Sequence, residues 1–461
     1  MSDSGKIVIV GAGPTGLGAA WRLRELGHRH FTVLEGRESP GGLAASFLDP
    51  HGFTWDIGGH VQFSHYFYYD DVLASLPIEW LHHQRESWVW VRNRFVPYPF
   101  QNNIHRLDPD DRDRALRGLE SATGSAGATN FRDWILSMFG QGIADLFLFP
   151  YNQKVWAWPL ETIGTRWVGE RVAPPDLDRI RRNLRDQRDD VSWGPNSTFR
   201  FPLEGGTGSI WREVARALGA ETFTMGARVE AIDPGRIRLA DGRTVAFDTL
   251  ISSMPLSSLV RMTSGLTPAA TRAAGSLVSS STYVFGVGLR GDQPAAVGRK
   301  CWMYFPESNS PYYRVTVFSN YSPRNAPDGC WSLMAEVSQS PMKPVGENTF
   351  EAVLRALRED GLIGPKTEVV SRWQHREEFG YPTPTIGRDD ALNILQPELE
   401  KLGIYSRGRF GAWKYEVSNQ DHSFMQGVEV VDRLLGEGEE PTLNQPELAN
   451  SGVFLRSAAT T

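Results

Sequence analysis

The clearest pattern of apolar and polar positions lies at the start of the chain. The run from Lys6 to Val10 is short and apolar, which is typical of a buried strand. Residues 11–27 follow with apolar side chains at helical spacing, and Pro14 falls where a first helical turn tolerates proline. A second apolar run, Phe31 to Leu34, ends at Glu35. This pattern predicts a complete β-α-β unit.

The middle of the chain changes from a strand pattern to a helical one. Arg85 to Tyr98 alternates and is rich in strand-forming residues, which predicts a hairpin around Arg92-Asn93. Asp108 is expected to cap a helix, because a proline and two acids follow it. From there to about residue 188 the pattern is helical, and we expect one of these helices to end at Gly140.

After Phe199 the predicted elements are shorter and mostly strands. Asp241-Gly242 is typical of a hairpin turn inside a meander. We predict this meander at residues 227–232, 236–239 and 244–247, a strand at 250–252, and antiparallel strands at 282–290, 302–305, 313–318 and 331–337. A last strand at 404–406 precedes a helix from about His422 to Leu435.

Composition excludes several classes of function. The net charge of -6 and the pI of about 6.0 give no indication of a nucleic-acid or membrane-surface partner. Two cysteines, Cys301 and Cys330, form no CxxC pair, so we expect neither a disulfide framework nor a metal site. The chain has no apolar run of the roughly 18 residues that a membrane span needs. We expect a cytoplasmic protein.

The β-α-β unit carries a dinucleotide-binding pattern. Gly11, Gly13 and Gly16 form a GxGxxG motif directly after the first strand. The glycines let the backbone approach a pyrophosphate at the helix N-terminus, and Glu35 is placed to bind a ribose hydroxyl. Strand, helix, spacing and acid agree, which favours a bound dinucleotide over a structural turn. NAD and FAD share this motif, so it does not choose between them.

Two further patterns favour FAD. Gly42 and Leu43 belong to a double-glycine stretch like that of glutathione-reductase-type FAD folds, although a plain turn has the same composition. Near the C-terminus a strand delivers Arg409 before the final helix, whose N-terminus would stabilise an anionic reduced flavin. The alternative is a simple crossover with a chance arginine.

Longer motifs give the chain a family resemblance. GGHVQFSHY, VPYPFQNN, PYNQKVWA, WGPNSTFRFP, GYPTPT and SRGRFGAWKYEVSNQDHSFM run through almost the whole chain. The chain resembles the flavin-dependent UDP-galactopyranose mutases, and more closely the eukaryotic type. The resemblance implies a redox-neutral interconversion of UDP-galactopyranose and UDP-galactofuranose, in which N5 of reduced FAD attacks the anomeric carbon.

The resemblance also implies roles for residues around a nucleotide-sugar substrate. Arg171 and Arg314 match diphosphate arginines, and Tyr381 and Tyr415 match phosphate-binding tyrosines. His60 matches the loop beside the flavin, and Asn196 a position near the sugar hydroxyls; we group both with the two arginines as catalytic candidates. The uracil site and its surroundings match Tyr98, Phe100, Gln101, Phe147, Asn152, Trp156 and Tyr304. Helical spacing alone favours core packing for Phe147 and Trp156.

Further positions match cofactor contacts in the family. Arg85 and Ser87 match positions linked to use of NADPH, and we expect NADPH or NADH as the reductant. The remaining flavin contacts implied by the match are Gly59, Arg409, Asn419, Gln420 and Ser423.

The expected fold is α/β. A Rossmann-like FAD domain of the glutathione-reductase type comprises residues 1–84, 203–262 and 400–461. Residues 102–196 form a helical domain, and residues 85–101, 197–202 and 263–399 form an antiparallel β-sheet domain. A homo-oligomer is possible. Three functions compete: a mutase acting on UDP-galactose or another nucleotide sugar, an oxidoreductase like the flavin amine oxidases, and a non-catalytic nucleotide-sugar binder.

Overall fold

The computed structural model describes residues 5–191, 193–436 and 438–455. The strands are β1 Ile7–Val10, β2 Phe31–Leu34, β3 Ser46–Leu48, β4 Thr54–Asp56, β5 Trp80–Gln84, β6 Ser87–Val91, β7 Arg94–Pro97, β8 Thr198–Pro202, β9 Phe223–Thr224, β10 Val229–Asp233, β11 Arg236–Leu239, β12 Thr244–Ala246, β13 Thr249–Ser252, β14 Ser279–Arg290, β15 Trp302–Tyr304, β16 Arg314–Val317, β17 Cys330–Gln339, β18 Glu368–Pro382 and β19 Ile404–Ser406. The helices are α1 Pro14–Glu25, α2 Phe67–Ala74, α3 Pro109–Glu120, α4 Phe131–Ile143, α5 Phe149–Trp156, α6 Leu177–Asp186, α7 Gly208–Leu218, α8 Leu256–Met262, α9 Pro268–Ser276, α10 Thr349–Glu359, α11 Arg388–Glu400, α12 Gln420–Leu435, α13 Pro441–Asn444 and α14 Pro446–Asn450.

A parallel sheet forms the first layer of the molecule. Its strand order is β19-β13-β1-β2-β9, and each neighbouring pair is parallel. β1 lies at the centre and is buried along its whole length, as expected for a strand covered on both faces. The predicted β-α-β unit is confirmed, with α1 beginning at Pro14.

The first helix, α1, packs directly on the long helix α12. Glycines bring the backbones of α1 and α12 together, since a Cβ on Gly18 would lie 2.2 Å from the carbonyl oxygen of Phe424. A Cβ on Gly427 would lie 2.0 Å from the carbonyl oxygen of Thr15. α12 begins at Gln420, slightly before the predicted start, and the short helices α13 and α14 follow it, so it is not the final helix. The two ends of the chain therefore build one face of the parallel sheet together.

A second, larger sheet has the order β18-β14-β17-β16-β15-β6-β7. The four predicted strands of this region are present, and the predicted antiparallel sheet is confirmed, with one parallel pair of strands that was not predicted. β15 pairs in parallel with β6, which brings the hairpin of Arg92 and Asn93 onto the edge of the sheet. The long edge strand β18 was not predicted. The fold is thus a Rossmann-like α/β layer combined with a mixed, mainly antiparallel sheet.

The helical region lies between β7 and β8 in the sequence. Two local predictions for it were wrong. Asp108 occupies the cap position of α3, but its carboxylate accepts a hydrogen bond from Arg94 instead of capping the helix. α4 continues past Gly140 with a kink, where φ is 68° and the backbone lies close to Gly118. Only glycine tolerates that combination of dihedral angle and close approach.

The three-part division of the chain stays a prediction. α9 and α11 pack into the same apolar cluster as β13, through side chains such as Ala270 and Leu395. Every helix of the described ranges is too short or too polar to span a membrane.

Candidate active site

The first half of the site is a cradle of backbone around the end of β1. A Cβ on Gly16 would lie 1.8 Å from the carbonyl oxygen of Gly11, so this turn admits no side chain there. Gly11 has a φ of 100°, and Gly42 approaches Gly13 so closely that a Cβ on Gly42 would lie 3.3 Å from the Gly13 Cα. The double-glycine stretch therefore faces the GxGxxG turn, as a pyrophosphate cradle requires.

Glu35 closes the cradle at the end of β2. Its Oε2 accepts a hydrogen bond of 2.6 Å from the backbone N–H of Ala12, and its Oε1 accepts one of 2.8 Å from the backbone N–H of Arg37. The buried carboxylate keeps further acceptor positions, which a ribose hydroxyl would use. Leu43, the residue after the paired glycines, packs against the neighbouring core. The residues present fit a dinucleotide such as FAD.

The second half of the site is a cavity of about 220 Å³ between the helical region and the large sheet. Side chains from widely separated segments line it, although no continuous motif predicts their meeting. The predicted residues that line it are Arg85, Tyr98, Gln101, Phe147, Asn152, Trp156, Arg171, Asn196, Tyr304, Arg314, Tyr381, Tyr415 and Asn419. The structure therefore brings together most of the residues assigned to substrate.

Arg314 enters this cavity from the start of β16. Its Nε and Nη2 each donate a hydrogen bond of 2.7 Å to Glu336 on β17. The side chain of Glu336 is only 2% exposed, whereas that of Arg314 is 22% exposed. Burial alone would raise the pKa of Glu336, but the charge and hydrogen bonds of Arg314 outweigh it and lower the pKa. Arg314 is thus a fixed cation whose free edge faces the cavity.

Arg171 enters from the one-turn 3-10 segment Gly169–Arg171. Its Nη1 donates a hydrogen bond of 2.7 Å to Oδ1 of Asn419, and Nη2 donates one of 3.1 Å to the carbonyl of Glu416. The guanidinium also lies 5.1 Å above the ring of Tyr415. These partners are neutral, so the charge of Arg171 is available to an anion in the cavity.

Two tyrosines connect the arginines. The rings of Tyr415 and Tyr381 are 6.0 Å apart, and the hydroxyl of Tyr381 lies 3.4 Å from that of Tyr313. The Tyr313 hydroxyl donates to Glu336 at 2.8 Å, which joins the tyrosines to the Arg314 pair. Two cations and two hydroxyls around one cavity form a donor set that suits a diphosphate.

Aromatic side chains build the rest of the wall. Tyr98 and Tyr304 lie 5.4 Å apart, and Phe147 stacks on Tyr151 at 5.2 Å. Gln101 donates a hydrogen bond of 2.6 Å to the carbonyl of Ala173, which fixes its amide in the cavity wall. Flat rings together with a fixed amide suit a nucleobase, because they offer stacking and polar recognition.

Arg85 holds one side of the cavity closed. Its guanidinium donates to Oδ1 of Asn196 and to the carbonyl of Trp193, and it lies 5.7 Å from the ring of Tyr98. The segment with Trp193 and Asn196 is thereby tied to the strand region. Asn196 therefore lies at the cavity, although its side-chain oxygen is engaged by Arg85.

His60 lies in the turn after β4, near the pair of Arg314 and Glu336. Gly59 in this turn donates a backbone hydrogen bond of 3.2 Å to Glu336, so the turn is joined to the Arg314 pair. Burial, together with the charges of Arg314 and Arg409, outweighs Glu336 and lowers the pKa of His60 to about 4. His60 is neutral near pH 7, and within the described ranges its buried Nδ1 has no hydrogen-bond partner.

Some predicted residues lie outside the cavity wall. Phe100 is fully buried and packs 5.2 Å from Phe147, behind the wall. Arg409 donates 2.9 Å hydrogen bonds to Ser418 and to the carbonyl of Gly380. Gln420 accepts a hydrogen bond from Trp211, while Ser87 and Ser423 are buried.

Sequence reasoning missed several residues of the site. Glu336 is an acid inside the otherwise apolar strand β17, and a lone charge in such a strand signals a buried partner. Lys154 is buried and donates hydrogen bonds of 2.9 and 3.1 Å to the carbonyls of Phe305 and Tyr312, which fixes the loop that ends at Arg314. The missed residues of the cavity wall include Phe63, Tyr151, Trp167, Glu170 and Trp193.

Known proteins share both the sequence pattern and the fold. Residues 9–76 match the model of an NAD(P)-binding Rossmann-like domain, and residues 95–435 match that of the flavin containing amine oxidoreductases. The crystal structure of reduced UDP-galactopyranose mutase is similar over 97% of each chain, with 52% sequence identity and a TM-score of 0.94. A putative protoporphyrinogen oxidase from Exiguobacterium sp. 255-15 is similar over 94% of this chain and 99% of its own, with 17% identity and a TM-score of 0.72. At that identity the second likeness concerns the fold alone.

The cradle, the mixed sheet and the family match define a flavin enzyme with the amine-oxidoreductase fold. This class contains enzymes of varied chemistry, so the class alone leaves the reaction open. At 52% identity over nearly the full length, the chain belongs to the UDP-galactopyranose mutase family.

Proposed function

We propose that this enzyme interconverts UDP-galactopyranose and UDP-galactofuranose with FAD in its reduced state. The observation that carries the proposal is the donor set of the cavity. Arg171, Arg314, Tyr381 and Tyr415 meet there, next to an aromatic wall with a fixed amide. An amine oxidase has no need for two cations around a diphosphate, whereas a leaving nucleoside diphosphate requires them.

The residues have separable tasks in this proposal. Tyr98 and Gln101 bind the uracil, and the arginines bind the diphosphate and stabilise its charge as the glycosidic bond breaks. The aromatic wall excludes water, which strengthens these electrostatic interactions. Asn196 binds the sugar hydroxyls, and its orientation is set by Arg85.

The cradle would hold FAD through Gly11, Gly13, Gly16, Gly42 and Glu35. When bound and reduced, the flavin supplies a nucleophilic nitrogen and the reaction has no net redox change. Neutral His60 and the side chain of Asn419 would lie on the flavin side of the cavity. In the described part of the chain, Nδ1 of His60 and Nδ2 of Asn419 are buried without a partner, which suits contact with a ligand.

A paired turnover assay tests this function. The purified holoenzyme is incubated with UDP-galactofuranose, once oxidised and once reduced with dithionite, and the nucleotide sugars are separated. Formation of UDP-galactopyranose only in the reduced sample is expected. Absence of product in both samples would contradict the proposal and direct the search to other nucleotide sugars. Substrate-dependent oxygen consumption would identify an oxidase instead.

Three finer assignments belong to the same proposal. NADPH or NADH is the reductant; of the two residues matched to its use, Arg85 lines the cavity and Ser87 is buried. We infer a cytoplasmic location from the paucity of cysteine and the absence of a long apolar run in the sequence. A homo-oligomer is tested by the molar mass of the holoenzyme in solution.

A further inference from the structure

His65 is a buried histidine to which the proposed reaction gives no task. It lies in the loop between β4 and α2, shortly after His60, and is 2% exposed. Its Nδ1 lies 2.7 Å from Oδ2 of Asp421 at the start of α12. Its Nε2 lies 3.1 Å from Oε2 of Glu170. The ring therefore bridges two carboxylates that are far apart in the chain.

Glu170 connects this bridge to the cavity. It lies in the segment Gly169–Arg171, directly before Arg171, and both residues line the cavity. The turn is short and lacks a side-chain cap, so its position depends on contacts made by its side chains. Glu170 reaches α12 through His65, whereas Arg171 reaches the same helix start through Asn419.

We propose that His65 is a positioning residue, which holds Glu170 against Asp421 and thereby fixes the turn that presents Arg171 to the substrate diphosphate. This inference rests on the proposed function, because it takes Arg171 as a ligand of that diphosphate. His65 itself touches neither the diphosphate nor the reacting sugar in this account. It acts through the orientation of Arg171, so its loss should weaken UDP binding and should cost no more kcat than the loss of Arg171 itself.

The bridge requires a charged ring, since a neutral imidazole has only one N–H and cannot donate to both carboxylates. The groups that face His65 are Tyr66 from its own loop, Asp421 and His422 from α12, and Glu170 with the adjacent Arg171 from the turn. Burial alone would lower the pKa of His65, but hydrogen bonds to Asp421 and Glu170, and their charges, outweigh it and raise the pKa to about 9.

The neighbouring histidine behaves differently, because burial lowers the pKa of His422 to about 4 and leaves it neutral near pH 7. The sign of the pH effect follows from the raised pKa of His65. The bridge is complete below about pH 9 and loses its second donor as the pH rises through that value. Substrate binding should weaken over the same range.

The test compares the holoenzyme with the variants Glu170→Gln and His65→Gln by calorimetric titration with UDP at pH 7 and at pH 10. Both variants are expected to bind UDP about tenfold more weakly at pH 7, since a charge-assisted hydrogen bond is lost. The wild type should lose a similar factor between the two pH values, and the variants should not. Alkaline changes in the flavin affect all proteins equally and cancel in this comparison.

Two more readouts separate positioning from a general loss of structure. At saturating UDP-galactofuranose, the reduced variants should lose less kcat than Arg171→Ala does, while KM rises. Hydrogen exchange of the backbone in residues 166–172 should be faster in both variants at pH 7. The control is Glu161→Gln, which removes an exposed partner of Arg132 in the same region and should change none of these values.

Wild-type affinity for UDP in Glu170→Gln at pH 7 would overturn the inference, even if His65→Gln fails to fold. The inference would also be overturned if the affinity of the wild-type enzyme for UDP were the same at pH 7 and pH 10. Faster hydrogen exchange in the variants without weaker UDP binding would overturn it as well. Failure of the proposed function has a different signature, namely a reduced wild-type enzyme that binds UDP but converts no UDP-galactofuranose.

Discussion

The two arginines of the cavity are held in contrasting ways. Arg314 lies on a strand and is fixed by two hydrogen bonds to the buried carboxylate of Glu336. Arg171 lies on a single turn and donates to an amide and a carbonyl oxygen. On one side of the cavity, the charge of Arg314 is neutralised by a carboxylate of the same sheet. On the other side, the hydrogen-bond partners of Arg171 are neutral, and the residue lies on a short connection. The difference predicts that Arg314 serves both stability and binding, whereas Arg171 serves binding.

The largest expected effect is that of Arg314→Ala. The variant leaves Glu336 buried without its cation, and breaking a buried ion pair costs about 3–5 kcal/mol in the free energy of unfolding. We also expect turnover of UDP-galactofuranose to be lost. Denaturant unfolding and the turnover assay measure the two effects. Arg290→Ala is the matched control, because it removes an exposed pair with Glu368 on the same sheet and should cost less than about 1 kcal/mol.

Arg171→Ala should weaken UDP binding without that loss of stability. A charge-assisted hydrogen bond contributes about 1.5–3 kcal/mol, and this is the loss expected in calorimetric titration. The free energy of unfolding should stay within about 0.5 kcal/mol of the wild type, because no buried charge loses its partner. A loss of stability equal to that of Arg314→Ala would remove the contrast between the two sides.

Glu35→Ala extends the comparison to the cradle, where backbone contacts should share the binding energy. The variant loses an acceptor for the ribose and for the N–H of Ala12, each worth about 1–2 kcal/mol. A lower ratio of flavin to protein after gel filtration is expected. The exposed Glu38 provides the control variant Glu38→Ala, which should retain flavin fully. Full occupancy in Glu35→Ala would contradict the ribose contact.

The smallest effect concerns His60, whose turn is hydrogen-bonded to Glu336 on the Arg314 side of the cavity. Its lowered pKa, about 4, means that the ring binds a proton only as the pH falls toward that value. Between about pH 5.5 and 8 it should contribute no ionisation to the profile of kcat. The profile of His60→Asn should have the same shape over this range. A limb near pH 6.5 that disappears in the variant would show that His60 titrates as an ordinary histidine.

Local sequence patterns were sufficient to predict the cradle. Gly11, Gly13, Gly16 and Glu35 lie in one continuous segment, where spacing alone determines which backbone atoms meet. The cavity has no such segment, because its residues come from strands, turns and helices spread over more than half of the chain. The family resemblance supplied those residues, and their individual roles stay predictions.

Three features of the fold are not contained in local sequence patterns: the strand β18, the parallel pairing of β15, and the orientation of the Asp108 side chain. β18 carries polar residues on both of its faces, as in the stretch from Arg372 to Glu378. It therefore lacks the alternation of apolar and polar residues that marks a half-buried strand. The parallel pairing of β15 with β6 depends on a neighbour far away in the chain. The carboxylate of Asp108 likewise accepts a hydrogen bond from Arg94 instead of capping α3. A local cap pattern carries no information about such a tertiary contact.

The glycine contact between α1 and α12 also constrains the order of events during synthesis. The GxGxxG turn is synthesised well before the helix that packs on α1 and the strand β19 beside β13, which lie much further along the chain. Since chains emerge from the N-terminus onward, the cradle lacks these packing partners until α12 has been synthesised. Flavin loading should therefore follow the synthesis of α12, and nascent chains that stop before Gln420 should retain no cofactor.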